Sequence, residues 1–273
     1  MTHGADGSGD AAASHAAGAA AWPGARRRRT DVAGPRPAAV LFDMDGLLID
    51  SEPLWLQAET AVMGRLGSAW TQADQLALLG GSLDRTVRYL LAKAARPAPP
   101  QQVGEWLMAE IAERVRRDGV PLRPGAPELL AGVERAGLPR ALVTSSERGF
   151  MEVVLDSTGL RFDALVCADD VAVTKPDPEP YLLAARLLGV PAPACVALED
   201  SPNGVASARA AGCRVIAVPS LAPIPPAPGM LVVGSLLDLR AGPGGITLRN
   251  SGGQPRRRRG NPGLDSQQSH GRR

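Results

Sequence analysis

Between Pro121 and Val218 helix-patterned and strand-patterned segments alternate: helix Ala126–Ala136, strand Arg140–Thr144, helix Glu147–Ser157, strand Ala164–Cys167, helix Glu179–Leu188, strand Cys195–Leu198, helix Pro202–Ala211 and strand Arg214–Val218. Strands joined by returning helices build a parallel sheet with helices on both faces, so this rhythm restricts the chain to the α/β class. An earlier apolar run, Ala38–Phe42, is short enough to be one more strand buried on both faces, and it stops at Asp43-Met44-Asp45-Gly46. In doubly wound sheets ligands bind beyond the carboxyl ends of the strands, which makes the polar residues there the first candidates for chemistry.

From Ser51 to Gly119 the alternation gives way to helix periodicity alone. Helices are expected at Glu52–Leu66, Gln72–Leu79, Leu83–Ala95 and Gln101–Arg117, broken by Gly67, Gly80-Gly81 and Pro97–Pro100. The expected layout is a core from residues 37–50 and 120–241, a helical insertion at 51–119, and disordered tails at 1–36 and 242–273. The tails, Ala/Gly/Arg-biased and Gly/Arg/Ser/Pro-biased, cannot bury enough apolar surface to offset the entropy of ordering them.

The net charge of +2 is a sum of unlike parts. Residues 37–241 carry eighteen Lys and Arg against twenty-four Asp and Glu, whereas the tails carry five Arg against three Asp and seven Arg against one Asp. An acidic body does not suit a polyanion, and the four-arginine run in each tail lacks aromatic interleaving, so no specific nucleic-acid partner is expected. No apolar run approaches the roughly 18 to 20 residues needed to cross a bilayer. Cys167, Cys195 and Cys213 are odd in number and set in apolar surroundings, and the N-terminus lacks the apolar core of an export signal. A reduced, cytoplasmic monomer with no membrane partner is the expectation.

Four strand ends supply polar residues. Asp43 and Asp45 follow the first, with Gly46 allowing an immediate turn; Thr144, Ser145 and Ser146 follow the second; Lys175 lies beyond the third; Glu199 and Asp200 end the fourth. Converging carboxylates stay ionised only if a cation neutralises them, and an all-oxygen donor set without His or Cys points to Mg²⁺. One Asp can then attack phosphorus as a nucleophile while the other protonates the leaving oxygen and deprotonates the incoming water. Thr144 with Ser145, and Lys175, would bind the phosphoryl oxygens. Lys175 gains weight from composition, because the chain has twenty-eight Arg and only two Lys, and a compact ammonium is not interchangeable with a planar guanidinium. The other lysine, Lys93, is expected to face solvent.

Phe42-Asp43-Met44-Asp45-Gly46-Leu47-Leu48-Ile49-Asp50-Ser51-Glu52, Val143-Thr144-Ser145-Ser146, Lys175-Pro176-Asp177-Pro178 and Leu198-Glu199-Asp200-Ser201-Pro202-Asn203-Gly204 together resemble the four ordered motifs of the haloacid dehalogenase superfamily. The helical insertion directly after the first motif resembles the cap of its β-phosphoglucomutase-like and 2-deoxyglucose-6-phosphate phosphatase-like branch. The resemblance implies a doubly wound, Rossmann-like parallel sheet core with a helical cap inserted after the first strand. It also implies Asp43 as an aspartyl-phosphate nucleophile and Asp45 as general acid/base. Mg²⁺ would be held by Asp43, the Asp45 backbone carbonyl and Asp200, with Glu199 helping directly or through water. Dehalogenases and phosphonatases of the superfamily lack the second Asp, so Asp45 favours a phosphate ester, and a small phosphorylated metabolite such as a sugar phosphate is the implied substrate. Phosphatase and hexose-phosphate mutase share this core. Trp55 stands where mutases typically carry a His, and Leu83 aligns with their cap Arg, which favours the phosphatase, although Arg85 or Arg88 remains a candidate for that grip.

Blander roles compete for several of these residues. Asp-x-Asp-Gly is a common turn, Thr144 and Ser201 suit helix N-caps, and Trp55, Trp70 and Trp106 are expected to pack within core or cap. A non-catalytic protein whose basic tails contact nucleic acid is the rival from another class. His3, His15 and His270 all lie in the tails, leaving no histidine in the folded part for a His base or a zinc site.

Overall fold

β1 (Ala39–Phe42) runs between β2 (Arg140–Val143) and β4 (Cys195–Glu199), parallel to both, and its four residues are fully buried. The computed structural model describes residues 35–78 and 82–249. Beyond β2 lies β3 (Ala164–Val166); beyond β4 lie β5 (Arg214–Ala217) and β6 (Met230–Val232). The sheet order is β3-β2-β1-β4-β5-β6 with every pair parallel. The chain winds outward on one side from β1 to β3 and on the other from β4 to β6, so the switch point falls between β1 and β4, at Asp43 and Asp200.

Successive residues of a strand point to opposite faces, and β1 obeys this strictly: Val40 and Phe42 enter one apolar layer, Ala39 and Leu41 the other. The first layer takes α5 (Ala126–Arg135) and α6 (Arg148–Thr158), the second α7 (Glu179–Leu187) and α8 (Pro202–Ala210). The insertion forms α1 (Glu52–Arg65), α2 (Gln72–Leu78), α3 (Leu83–Lys93) and α4 (Pro100–Asp118). Leu54, Ala58 and Val62 of α1 recur every fourth residue, as do Leu107, Ile111 and Val115 of α4, and these stripes face one another in the first layer's core. α4 also packs on α6, joining insertion to core.

Lys93 does more than face solvent. Its ammonium pairs with buried Asp74, which also accepts from Thr71 Oγ1 at 2.7 Å and Tyr89 Oη at 3.0 Å, tying α2 to α3. Residues 242–248, expected within the disordered C-terminal tail, are folded instead. β7 (Leu239–Gly242) and β8 (Gly245–Leu248) form an antiparallel hairpin against α5, because Leu239 and Ile246 bury themselves there despite the Gly-Pro-Gly-Gly turn between them. Residues 1–34 and 250–273, which hold most of the expected tails, all three histidines and both four-arginine runs, lie outside the described residues, as do Leu79, Gly80 and Gly81. Among the described residues no helix is long and apolar enough to cross a membrane. The three cysteines are buried free thiols.

Candidate active site

At the end of β1 the chain turns back on itself, Gly46 N donating to Ile49 O and Leu48 N to Met44 O, both at 2.9 Å. Met44, Leu47, Leu48 and Ile49 are buried, anchoring the turn, while Asp43 and Asp45 line a cavity of about 440 Å³ between the sheet's carboxyl edge and the inserted helices. Gly46 sits at φ +82°, and a Cβ there would overlap the Asp200 carboxylate, so glycine serves both the turn and the approach of the two motifs.

Lys175 reaches this edge from the loop before α7 and directs its ammonium to three acceptors: Asp43 Oδ1 at 2.5 Å, Val143 O at 2.7 Å and Glu199 Oε1 at 2.7 Å. Three donors meet three acceptors, which a guanidinium of different shape could not reproduce. Burial pulls the Lys175 pKa down, but the Asp43 and Glu199 carboxylates outweigh it and hold the ammonium above the ordinary lysine value. Glu199 is fully buried behind Lys175 and does not line the cavity; its Oε1 also accepts from Tyr181 Oη, and its Oε2 from Asp200 N at 3.3 Å.

Asp45 has a different set of partners. Ser51 Oγ donates to its Oδ1 at 2.6 Å, and Ser146 Oγ and Thr144 Oγ1 donate to its Oδ2 at 2.8 and 3.4 Å. Burial pushes its pKa up, and the hydroxyls only partly reverse this. Asp43 is likewise raised by burial, with Lys175 pulling it back. Two carboxyls on one turn therefore stand in unlike settings, one beside an ammonium and one beneath hydroxyls.

Carboxylate oxygens of Asp43, Glu199 and Asp200 lie within 4.8 Å of one another. With protein groups alone, burial and the neighbouring carboxylates push Asp200 up to about 9 and Glu199 to about 7. A donor set of closely spaced carboxylate oxygens that the protein's own charges do not neutralise fits a hard divalent cation, which would reverse that shift. Ser220 Oγ, donating to Asp200 Oδ2 at 2.5 Å, fixes the carboxylate's orientation.

Asp43, Asp45, Thr144, Lys175 and Asp200 thus meet at one cavity, with Glu199 directly behind. Ser145 lines the cavity too, but the hydroxyl that reaches Asp45 belongs to Ser146. Ser201 caps α8, its Oγ accepting from Gly204 N at 3.1 Å. Sequence reasoning left Ser51, Ser220 and Tyr181 without roles: Ser51 stands inside the first motif with no function assigned, and Ser220 and Tyr181 meet their carboxylates only through the fold. Trp55 packs on Phe150 with ring centroids 5.4 Å apart and forms part of the cavity wall; Trp70 donates from Nε1 to Glu59 Oε2 at 3.1 Å. Neither Arg85 nor Arg88 lines the cavity: the first donates to Ala77 O at 2.9 Å, the second pairs with exposed Asp84 at 2.8 Å.

Comparison with known proteins agrees with this architecture. Hexitol phosphatase B of Escherichia coli K12 is 41% identical over 186 residues, covering 67% of this chain and 83% of that protein. The plasmid-encoded protein CbbY of Cupriavidus necator is 35% identical over 199 residues, covering 67% of this chain and 78% of its own length. The crystal structure of CbbY from Rhodobacter sphaeroides in complex with phosphate superposes with a TM-score of 0.67 at 30% identity, covering 73% of this chain and 95% of that one. The family model of the haloacid dehalogenase-like hydrolases matches residues 37–212, and the chain belongs to that family.

Proposed function

We propose that this chain is a Mg²⁺-dependent phosphatase that hydrolyses a small phosphorylated metabolite of the sugar-phosphate class through an aspartyl-phosphate on Asp43. Similarity to a hexitol phosphatase supports the substrate class. The observation that carries the mechanism is the unlike setting of the two aspartates: Asp43 is held by Lys175, Asp45 by hydroxyls alone. Carboxyls whose environments differ in this way divide into nucleophile and acid.

In this reading an Asp43 oxygen bonds to phosphorus as the ester oxygen departs with the proton of Asp45. Water then attacks the aspartyl-phosphate and yields its proton to Asp45, so that Asp43 and inorganic phosphate are released and Asp45 is again protonated. Lys175 and Thr144, with Ser145 at the cavity wall, hold the phosphoryl oxygens. Asp43, Asp200 and the Asp45 backbone carbonyl would hold Mg²⁺, with Glu199 adding charge from behind; the bound ion supplies neutralisation of the phosphoryl and carboxylate charge.

Purified protein with Mg²⁺ should release phosphate from p-nitrophenyl phosphate, and Asp43→Asn should abolish it. Unchanged turnover in that variant would remove the mechanism. A hexose 1-phosphate should give free phosphate; its conversion to the 6-phosphate isomer would favour the mutase.

A further inference from the structure

We infer that the cap side of the cavity admits only monophosphates with an uncharged, hydroxyl-bearing leaving group, and that Glu59 is the residue that turns a second phosphate away. The inference rests on the phosphatase reading and specifies its substrate.

Among the described residues that line the cavity, Lys175 is the one cation, and its three hydrogen bonds go to Asp43, Val143 and Glu199 at the sheet edge. The opposite wall, from α1 to α3, offers Glu52, Glu59, Gln75, Ser82 and Thr86 as its hydrogen-bonding groups, with Trp55 and Leu83 beside them. Glu52 and Glu59 lie two helical turns apart on one face of α1, and burial pushes Glu59 up to about 7 with Glu52 adding to the shift. A phosphate dianion at the far end of a substrate would enter beside these two carboxyl groups. Arg85 and Arg88, the two arginines of α3, bond Ala77 O and Asp84. The far phosphate would lose its hydration beside two carboxyl groups and find no cation on that wall to replace it, a barrier that discriminates against a second charge.

Glu59 is held for this role. It is 5% exposed, and among the described residues its one hydrogen-bond donor is Trp70 Nε1 on Oε2, which fixes the plane of the carboxyl and leaves Oε1 free of protein donors. A hydroxyl of a sugar or polyol donates to such an oxygen, and Gln75 Nε2, which bonds Glu52 Oε2 at 3.2 Å, shows that the neighbouring carboxyl already accepts a neutral donor. Carboxyl acceptors and no basic partner suit a ligand rich in O–H groups.

The test compares kcat/KM of the full chain with Mg²⁺ on fructose 6-phosphate, sorbitol 6-phosphate and fructose 1,6-bisphosphate, with p-nitrophenyl phosphate as the control for the chemistry. The wild-type protein should prefer the better monophosphate over the bisphosphate by at least about tenfold, and Glu59→Gln, which keeps an acceptor for Trp70 Nε1, should narrow the ratio by about tenfold, chiefly through KM of the bisphosphate. Glu59→Arg should narrow it further. Hydrolysis of p-nitrophenyl phosphate with equal use of mono- and bisphosphates by the wild type, or a ratio unmoved in a folded Glu59→Gln protein, overturns the inference and leaves the phosphatase reading intact. Absence of any p-nitrophenyl phosphate turnover overturns the phosphatase reading, and the inference with it.

Discussion

Lys175 Nζ lies 2.5 Å from Asp43 Oδ1, and both side chains are nearly inaccessible to solvent. The lysine comes from a loop 132 residues after the aspartate, so the pair is a product of the fold and a means of holding it. It orients the Asp43 carboxylate, and its charge offsets carboxylates that would otherwise repel.

Replacing Lys175 should therefore cost both activity and stability. Lys175→Arg, which keeps the charge and loses the three-way geometry, should lower kcat/KM on p-nitrophenyl phosphate by roughly 10²–10³. Lys175→Met leaves Asp43 and Glu199 buried without their partner and should lower unfolding free energy by roughly 3–5 kcal/mol in urea titrations. An arginine variant with wild-type kinetics would show that a point charge at this position suffices in any shape.

Asp45 and Asp43 should fail differently. Asp45→Asn retains the Asp43–Lys175 pair, so the first transfer from an aryl phosphate, whose leaving group needs little protonation, should survive better than transfer from an alkyl phosphate. Steady-state turnover should fall by roughly 10²–10⁴ because the water-attack step lacks its base. Rapid-quench measurement should detect a near-stoichiometric burst of p-nitrophenol in Asp45→Asn and none in Asp43→Asn. Equal behaviour of the two variants would contradict the division of labour.

The Asp74 cluster gives the cap a defined acid response. Its hydrogen bond from Lys93, with those from Thr71 and Tyr89, holds the Asp74 carboxyl well below the usual aspartate value. The native state thus binds this proton less readily than the unfolded chain. The cluster's contribution is fully present above the unfolded pKa near 3.8 and is lost as pH falls below it. Thermal unfolding should show Asp74→Asn less stable than wild type at pH 7, and the gap should shrink at pH 3. A gap of the same size at both values would mean that the ion pair contributes nothing beyond packing.

These features differ in how far the chain itself announces them. Strands β1 to β5 and helices α1 to α8 are visible because Val40, Phe42, Leu142 and Val196 sit in short apolar runs, and residues such as Leu54, Ala58 and Val62 repeat at helical spacing. β6 is three half-buried residues after a proline-rich segment, and β8 follows Gly242-Pro243-Gly244, so neither carries a periodic signal. The charged residues of the site announce themselves at strand ends. The neutral partners outside those ends do not: Ser220 stands 20 residues from Asp200 and Tyr181 18 from Glu199, and even Ser146, visible at its strand end, meets Asp45 only because the fold brings the two together. Glu59 is hidden for another reason, since a glutamate on an amphipathic helix reads as surface until the facing wall is known.

Gly204 links packing to chemistry at a single atom. It lies in the first turn of α8, and a Cβ there would overlap the Glu199 carboxylate that anchors Lys175. Its backbone conformation is not left-handed, so the obstacle to Gly204→Ala is purely the contact with Glu199. That carboxylate cannot swing aside without breaking its bonds to Lys175 and Tyr181, so the alanine should cost about 1–3 kcal/mol of stability, the usual penalty for overfilling a packed site. Because the displaced group holds Lys175, kcat/KM should fall as well, by about tenfold or more. Gly64→Ala in α1, where an added Cβ meets nothing within 4 Å, is the matching control and should stabilise the protein by about 0.5–1 kcal/mol through helix propensity. Urea titration and p-nitrophenyl phosphate kinetics on both variants separate the contributions. If Gly204→Ala loses stability and keeps full activity, Glu199 does not position Lys175, and the ammonium must be held by Asp43 and the Val143 carbonyl alone.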